Sequence, residues 1–223
     1  MKLTTEQKQF LSRSLRENLS YRETYVEFYD HILSALEAKP QTMNFQDAVK
    51  SVIDEDFGGY EGMILIESRY KRTVTKEMQK KYLNFVIEYL KFPLIGIIGS
   101  LTFVFYFIAR QSWFNYMAFV EIAFAIRIIP TLLKWTRHLK MGYIFEDTKT
   151  SVKDSFFVWL DYVPALIVIT LLLLSPSVFK ESPAVWFSSA GSLIIAFILA
   201  LFALHTLSFY RVYKDEFKAS ITQ

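Results

Sequence analysis

The chain has 223 residues, 52% hydrophobic and 17% aromatic, and its 25 Lys and Arg against 22 Asp and Glu leave a net charge of +3. There is no cysteine, which excludes disulfides and thiolate metal sites and fits a cytoplasm-facing or membrane setting. The mean hydropathy of +0.24 conceals a division, with residues 1–82 polar and most of 85–208 apolar. This predicts an all-α protein, an N-terminal cytosolic helical domain (1–82) followed by a four-helix transmembrane bundle (83–210) and a cytosolic tail (211–223).

Thr4 followed by Gln7 reads as a capping box opening a first helix with Phe10, Leu11 and Leu15 on one face. Ser20 with Glu23 repeats the device before a second helix, whose Tyr25, Tyr29, Ile32 and Leu36 form a packing face until Lys39-Pro40 stops it. Asn44 with Asp47 starts a third helix bearing Ala48, Val49, Val52, Ile53 and Phe57, and Gly58-Gly59 supplies a left-handed stop. From Tyr60 to Phe92 a long helix runs on, with Met63, Ile66, Tyr70, Val74 and Met78 as its stripe and Pro93 as a kink.

Four apolar stretches follow, at 85–109, 112–133, 156–175 and 183–207. At about 1.5 Å per residue each is long enough for a hydrocarbon core of roughly 30 Å. Lys71, Arg72, Lys76, Lys80 and Lys81 precede the first stretch; Lys134, Arg137, Lys140, Lys149 and Lys153 lie between the second and third; Arg211, Lys214 and Lys218 follow the fourth. The other two connections hold only Arg110 and Lys180, so the positive-inside rule places both termini in the cytoplasm. Trp113 and Trp186 fall near the outer ends of their stretches, and Trp135 and Trp159 near the inner ends, as an aromatic belt does. No signal-peptide core precedes the first stretch, so the expectation is an integral protein of a bacterial inner membrane whose first span is its own insertion signal.

An ionisable side chain in hydrocarbon costs about 2.5–3.5 kcal/mol, which singles out Glu121, Arg127 and Asp161. Arg127 and Asp161 sit at matching depth and could pair, and Glu88, Lys91 and His205 lie near the same level, suggesting a polar layer across the helices. The alternative is that Glu88 and Lys91 reach the headgroups and pair with one another, and that Arg127 with Asp161 only fixes helix register. In the outer half, Glu121 shares a level with Ser188, Ser189 and Ser192 as a second polar site or a packing contact. Ser188, Ser192, Ala196 and Ala200 recur every fourth residue, and Gly96 with Ser100 repeats the spacing, a seam for helices of one subunit or of a homo-oligomer. Pro130 and Pro164 free the carbonyls of Ile126 and Leu160 beside the two charged residues.

Enzyme signatures are missing: there is no HExxH, no GxSxG and no Gly-rich phosphate loop, and His31, His138 and His205 are scattered. Asp54, Glu55 and Asp56 lack the spacing of a calcium loop and read as a solvated face, so no cofactor or metal is expected.

Tyr29-Asp30-His31-Ile32, Asp47-Ala48-Val49 and Phe57-Gly58 form a phrase over residues 21–67. It resembles the cytosolic helical prefix of some bacterial membrane proteins associated with PadR-type transcription regulators, and of related permease prefixes. A second glycine and a strongly basic exit helix depart from that pattern. The resemblance implies a module that binds a cytosolic partner, with the spans supplying location or sensing. The expected function is therefore non-enzymatic: residues 1–82 recruit a cytosolic or membrane protein partner, the bilayer holds the spans, and no nucleic acid is bound. The alternative is a small transporter or transporter subunit using Glu121, Arg127 and Asp161.

Overall fold

A computed structural model describes residues 1–143, 148–181 and 188–217, the side chains of 171–181 excepted. Among these residues the protein is all helical: α1 Thr5–Asn18, α2 Arg22–Ala38, α3 Phe45–Phe57, α4 Gly59–Tyr89, α5 Ile95–Ala109, α6 Tyr116–Lys140, α7 Val152–Glu181 and α8 Ser189–Phe217. Two compact units divide it, one of residues 1–77 with 138–156, the other of 78–137 with 157–223.

In the first unit the predicted punctuation largely forms. Gln7 N–H donates to the Thr4 hydroxyl at 3.2 Å while the Gln7 carboxamide accepts from Thr4 N–H at 2.9 Å, closing the capping box. Asn44 caps α3, and Gly58 and Gly59 end it at φ of 72° and 84°, a conformation that a side chain would strain. Gly62 has a different reason to lack a side chain: a Cβ there would lie 1.7 Å from the Phe57 carbonyl oxygen. Leu11, Leu15, Ile32, Leu36, Val52 and Met63 are almost wholly buried in the resulting core, each such side chain contributing about 1.5–3 kcal/mol.

Ser20 does not cap α2. The cap position is Tyr21, which offers no side-chain bond, and Glu67 of α4 takes over. Its carboxylate accepts from Ser20 N–H at 3.0 Å, Tyr21 N–H at 2.9 Å and the Thr24 hydroxyl at 2.6 Å, meeting the unpaired donors of a helix start from across the core. Glu67 therefore occupies the buried stripe of α4 with Met63 and Val74, and Ile66 and Tyr70 lie outward.

The connection 138–156 is part of this unit. Arg22 N–H donates to the Thr150 carbonyl at 3.2 Å, Lys149 Nζ donates to the Leu19 carbonyl, and Val152 N–H donates to Glu23 at 3.2 Å. Glu23, expected to cap its own helix, instead meets the first turn of α7. Tyr143 donates to Asp154 at 2.6 Å within the same segment.

The second unit alters the expected spans. The stretch 85–109 is not one helix: α4 ends at Tyr89, a turn holding a cis Phe92–Pro93 peptide follows, and α5 has 15 residues. Pro93 lacks the N–H that a continuing helix needs and disfavours helical geometry at the residue before it. The second stretch is displaced: Asn115 accepts from Ala118 N–H at 3.0 Å to open α6, which runs on to Lys140 and turns at Gly142 with φ 72°. Residues 156–175 fall within α7. Trp186, the expected start of the fourth stretch at Pro183, the Lys180 side chain and Lys218 lie outside the described residues.

Two of the described helices, α6 and α8, are long and apolar enough to cross a membrane, with mean hydropathies of 1.7 and 2.3, and α5 is apolar but shorter. Four crossings are thus an expectation of which two have helices of the required kind among the described residues. α5 and α8 pack closely, sharing a cluster with α6 that contains Phe105, Phe119, Ala123, Ala196, Leu199 and Ala200. The opposite faces carry large apolar side chains outward, among them Phe107, Phe124, Trp135 and Phe197.

Candidate functional site

The polar heart of the second unit lies on α6, α7 and α8. Arg127, Thr131 and Lys134 follow one another at four and three residues, which puts them on one face of α6. Asp161 of α7 meets all of them. Its Oδ1 is 2.6 Å from an Arg127 guanidinium nitrogen, and its Oδ2 accepts from Lys134 at 2.8 Å and from Thr131 at 3.4 Å. Arg127 also donates to the Asp161 main-chain carbonyl at 2.7 Å. Arg127 and Asp161 are only 5% and 4% exposed, so this is an ion pair withdrawn from solvent, with Lys134 at its more open edge. Two cations share one carboxylate, and among the described residues no other acidic group lies within ion-pair reach of either.

The backbone around the cluster is rearranged by proline. Pro130 cannot donate to Ile126, and the freed carbonyl accepts at 3.3 Å from the hydroxyl of Thr206 on α8. The Tyr213 hydroxyl donates to the Leu133 carbonyl at 3.1 Å two turns further on. The three helices are therefore joined by hydrogen bonds as well as by packing.

The remainder of the predicted layer divides among other partners. His205 is buried on α8 with its Nδ1 2.8 Å from the Tyr82 hydroxyl, while its Nε2 has no hydrogen-bond partner. Glu88 pairs with Arg211 at 2.8 Å, and the Arg211 guanidinium lies over the Phe85 ring. Lys91 is exposed and does not pair with Glu88. Lys81 is held by Asp215 at 2.6 Å and by Glu216, hydrogen bonds that raise the pKa of its ammonium group.

The outer-half grouping does not form. Glu121 is exposed and makes no hydrogen bond or ion pair among the described residues. Ser188 instead accepts from Gly191 N–H at 3.2 Å at the start of α8, Ser189 accepts from Arg110 at 2.9 Å, and Ser192 is buried with no bond to its hydroxyl. The seam is real on one helix only: Ser192, Ala196 and Ala200 are buried, whereas Gly96 and Ser100 are exposed with open space at Gly96. Small residues on α8 admit the larger side chains of the cluster, rather than meeting small residues on α5.

In the first unit His31 pairs with Asp56 at 2.9 Å and Lys39 with Glu55 at 3.1 Å, both at the surface. No group of three or more His, Cys, Asp or Glu suited to a metal occurs among the described residues. Sequence reasoning missed Lys134, Thr131 and Thr206 as members of the polar heart, and Tyr82 as the partner of His205. The spacing of Arg127, Thr131 and Lys134 along one helix face was the available signal. Comparison with protein-family models, with curated proteins and with solved structures finds no match for this chain.

Proposed function

We propose that the protein is a non-enzymatic integral membrane protein that holds a helical interaction or regulatory domain at the cytoplasmic face of a bacterial inner membrane. The observation that carries this reading is the inverted surface of the second unit. Its helices turn Phe103, Phe107, Phe124, Phe197 and Trp159 outward and fold Arg127, Asp161, Thr206 and His205 inward. In water such a surface invites aggregation, and in lipid it is the ordinary arrangement. Four crossings, with α5 and the end of α4 together making the first, follow from the four apolar stretches, and cytoplasmic termini from the distribution of Lys and Arg.

The first unit has its own core and an outward apolar group on α4 that includes Tyr60, Ile64 and Leu65, suited to a protein partner. The resemblance of residues 21–67 to partner-binding prefixes points the same way. Because 138–156 belongs to the same unit as 1–77, the full chain is the appropriate bait. A photo-crosslinker at Ile64 in membranes is expected to capture one protein, and Leu65→Ser to abolish that capture. A product that stays in the soluble fraction without detergent, or a capture indifferent to Leu65, would defeat the proposal. Ion flux in liposomes that vanishes with Asp161→Asn would favour the transporter reading instead, for which the buried Arg127 and Asp161 pair is the remaining support.

A further inference from the structure

A groove of about 210 Å³ runs between α6 and α7, lined by Phe124, Arg127, Thr131, Ala165, Val168 and Ile169. It opens on the exposed side, where Phe124 and Ile169 are 59% and 50% exposed. Its character changes along its length. Phe124 and Ile169 make one end wholly apolar, Arg127 and Thr131 follow, and one turn further along the same α6 face comes Lys134, whose side chain retains 20% exposure. From Phe124 to Lys134 the helix rises about 15 Å, half of a hydrocarbon core of about 30 Å. The groove, together with Lys134 beyond its polar end, therefore spans the depth of one lipid leaflet.

The charges at its polar end do not balance. Arg127 and Lys134 bring two positive charges to the single negative charge of Asp161, and the described residues supply no second carboxylate. A surplus cation this close to hydrocarbon is costly unless an anion joins it. Trp135 and Trp159, both exposed at the same end, mark the depth at which lipid headgroups would lie. We infer that this groove binds one anionic phospholipid of the cytoplasmic leaflet, its phosphate against Lys134 and the edge of Arg127 and an acyl chain between α6 and α7. This rests on the membrane reading above. The lipid would complete the charge balance of the ion cluster and tie the two helices together.

The test uses the full-length protein in a mild neutral detergent, offered equal phosphatidylglycerol and phosphatidylcholine of identical chains, with bound lipid read by native mass spectrometry. The wild type is expected to retain phosphatidylglycerol in preference by about fivefold, the ratio that one cation near an anionic headgroup supplies. Lys134→Gln brings the preference close to parity, while Lys214→Gln, an exposed cation away from the groove, leaves it unchanged. Ala165→Phe fills the groove with every charge in place and lowers retention of both lipids. Equal retention by the wild type overturns the inference, as does a loss in Lys214→Gln that matches Lys134→Gln. Displacement of the lipid by millimolar inorganic phosphate also overturns it, because the acyl chain would then contribute nothing. If Lys134→Gln does not accumulate, the wild-type ratio and Ala165→Phe decide between the outcomes. A protein that needs no detergent sinks the membrane reading; one that is embedded yet indifferent to headgroup sinks the lipid site alone.

Discussion

The first unit of this protein buries Glu67 and Asp154 and the second buries Asp161, and Glu67 and Asp161 are stabilised by opposite means. Glu67 in the first unit is met by neutral donors, two main-chain N–H groups and one hydroxyl, at the start of a helix whose own residues leave it uncapped. Asp161 in the second is met by cations, Arg127 and Lys134. The difference follows the surroundings. A unit with an apolar core and a polar surface has helix ends inside it whose donors need an acceptor, and one carboxylate serves several. In the second unit Arg127 and Asp161 are withdrawn from solvent, and a charge so placed needs a counter-charge. Glu67 and Asp161 are thus both structural, one closing a helix end and the other joining α6 to α7.

The comparison breaks most readily at Asp161. Asp161→Asn leaves two cations without a counter-charge and is expected to cost about 3–5 kcal/mol, read as a fall in thermal unfolding temperature in detergent. An unchanged temperature would mean that the pair is not what joins the helices. Next in size is a test of the two surfaces. Phe197 in the second unit and Phe10 in the first are similarly exposed, at 58% and 52%. Phe197→Lys should lower membrane insertion by about 2.5–3.5 kcal/mol, measured as the fraction resisting alkaline extraction, while Phe10→Lys should change nothing. Equal behaviour of the two would erase the distinction between the units.

What could be read in the sequence was local. Thr4 with Gln7, Asn44 and Gly58 act within a few residues, and each forms as its residue type dictates. Pro130 announces an unpaired Ile126 carbonyl, but that Thr206 answers it depends on how α8 packs, which no local pattern contains. The misreadings are of the same kind. Ser20 with Glu23 satisfies a capping pattern, yet Glu67 and the first turn of α7 compete for those groups and win. Glu67 itself lies four residues after Met63 and seven before Val74, a charge on an apolar stripe, and that anomaly was the legible sign of its role. Gly96 and Ser100 have the spacing of a seam and still face outward, because spacing says that helices can approach and not which face they use.

Glu67→Gln sharpens the comparison at a smaller scale. The amide retains one acceptor but turns N–H donors toward N–H donors, for an expected loss of about 1–3 kcal/mol. Hydrogen exchange should show it as faster opening at Ser20, Tyr21 and the start of α2, with the Asp161 cluster unaffected. Equal protection in both proteins would mean that the α2 start is held by packing alone.

The smallest effect belongs to a carboxylate that neither unit buries. Glu55 is exposed, and its pKa is lowered from 4.5 by hydrogen bonds from Ser51 and Lys39, with the Lys39 charge adding to them. A carboxylate whose folded pKa is depressed stabilises the fold above its unfolded pKa, and the contribution disappears as pH falls through the folded value. Full exposure makes that contribution too small to register in unfolding, so the measurement is a side-chain NMR titration. Ser51→Ala and Lys39→Gln should each raise the Glu55 midpoint, with stability unchanged in both. The contrast with Glu67 would then be complete, since the same chemical group with hydrogen-bond donors in reach matters to the fold only where water is shut out.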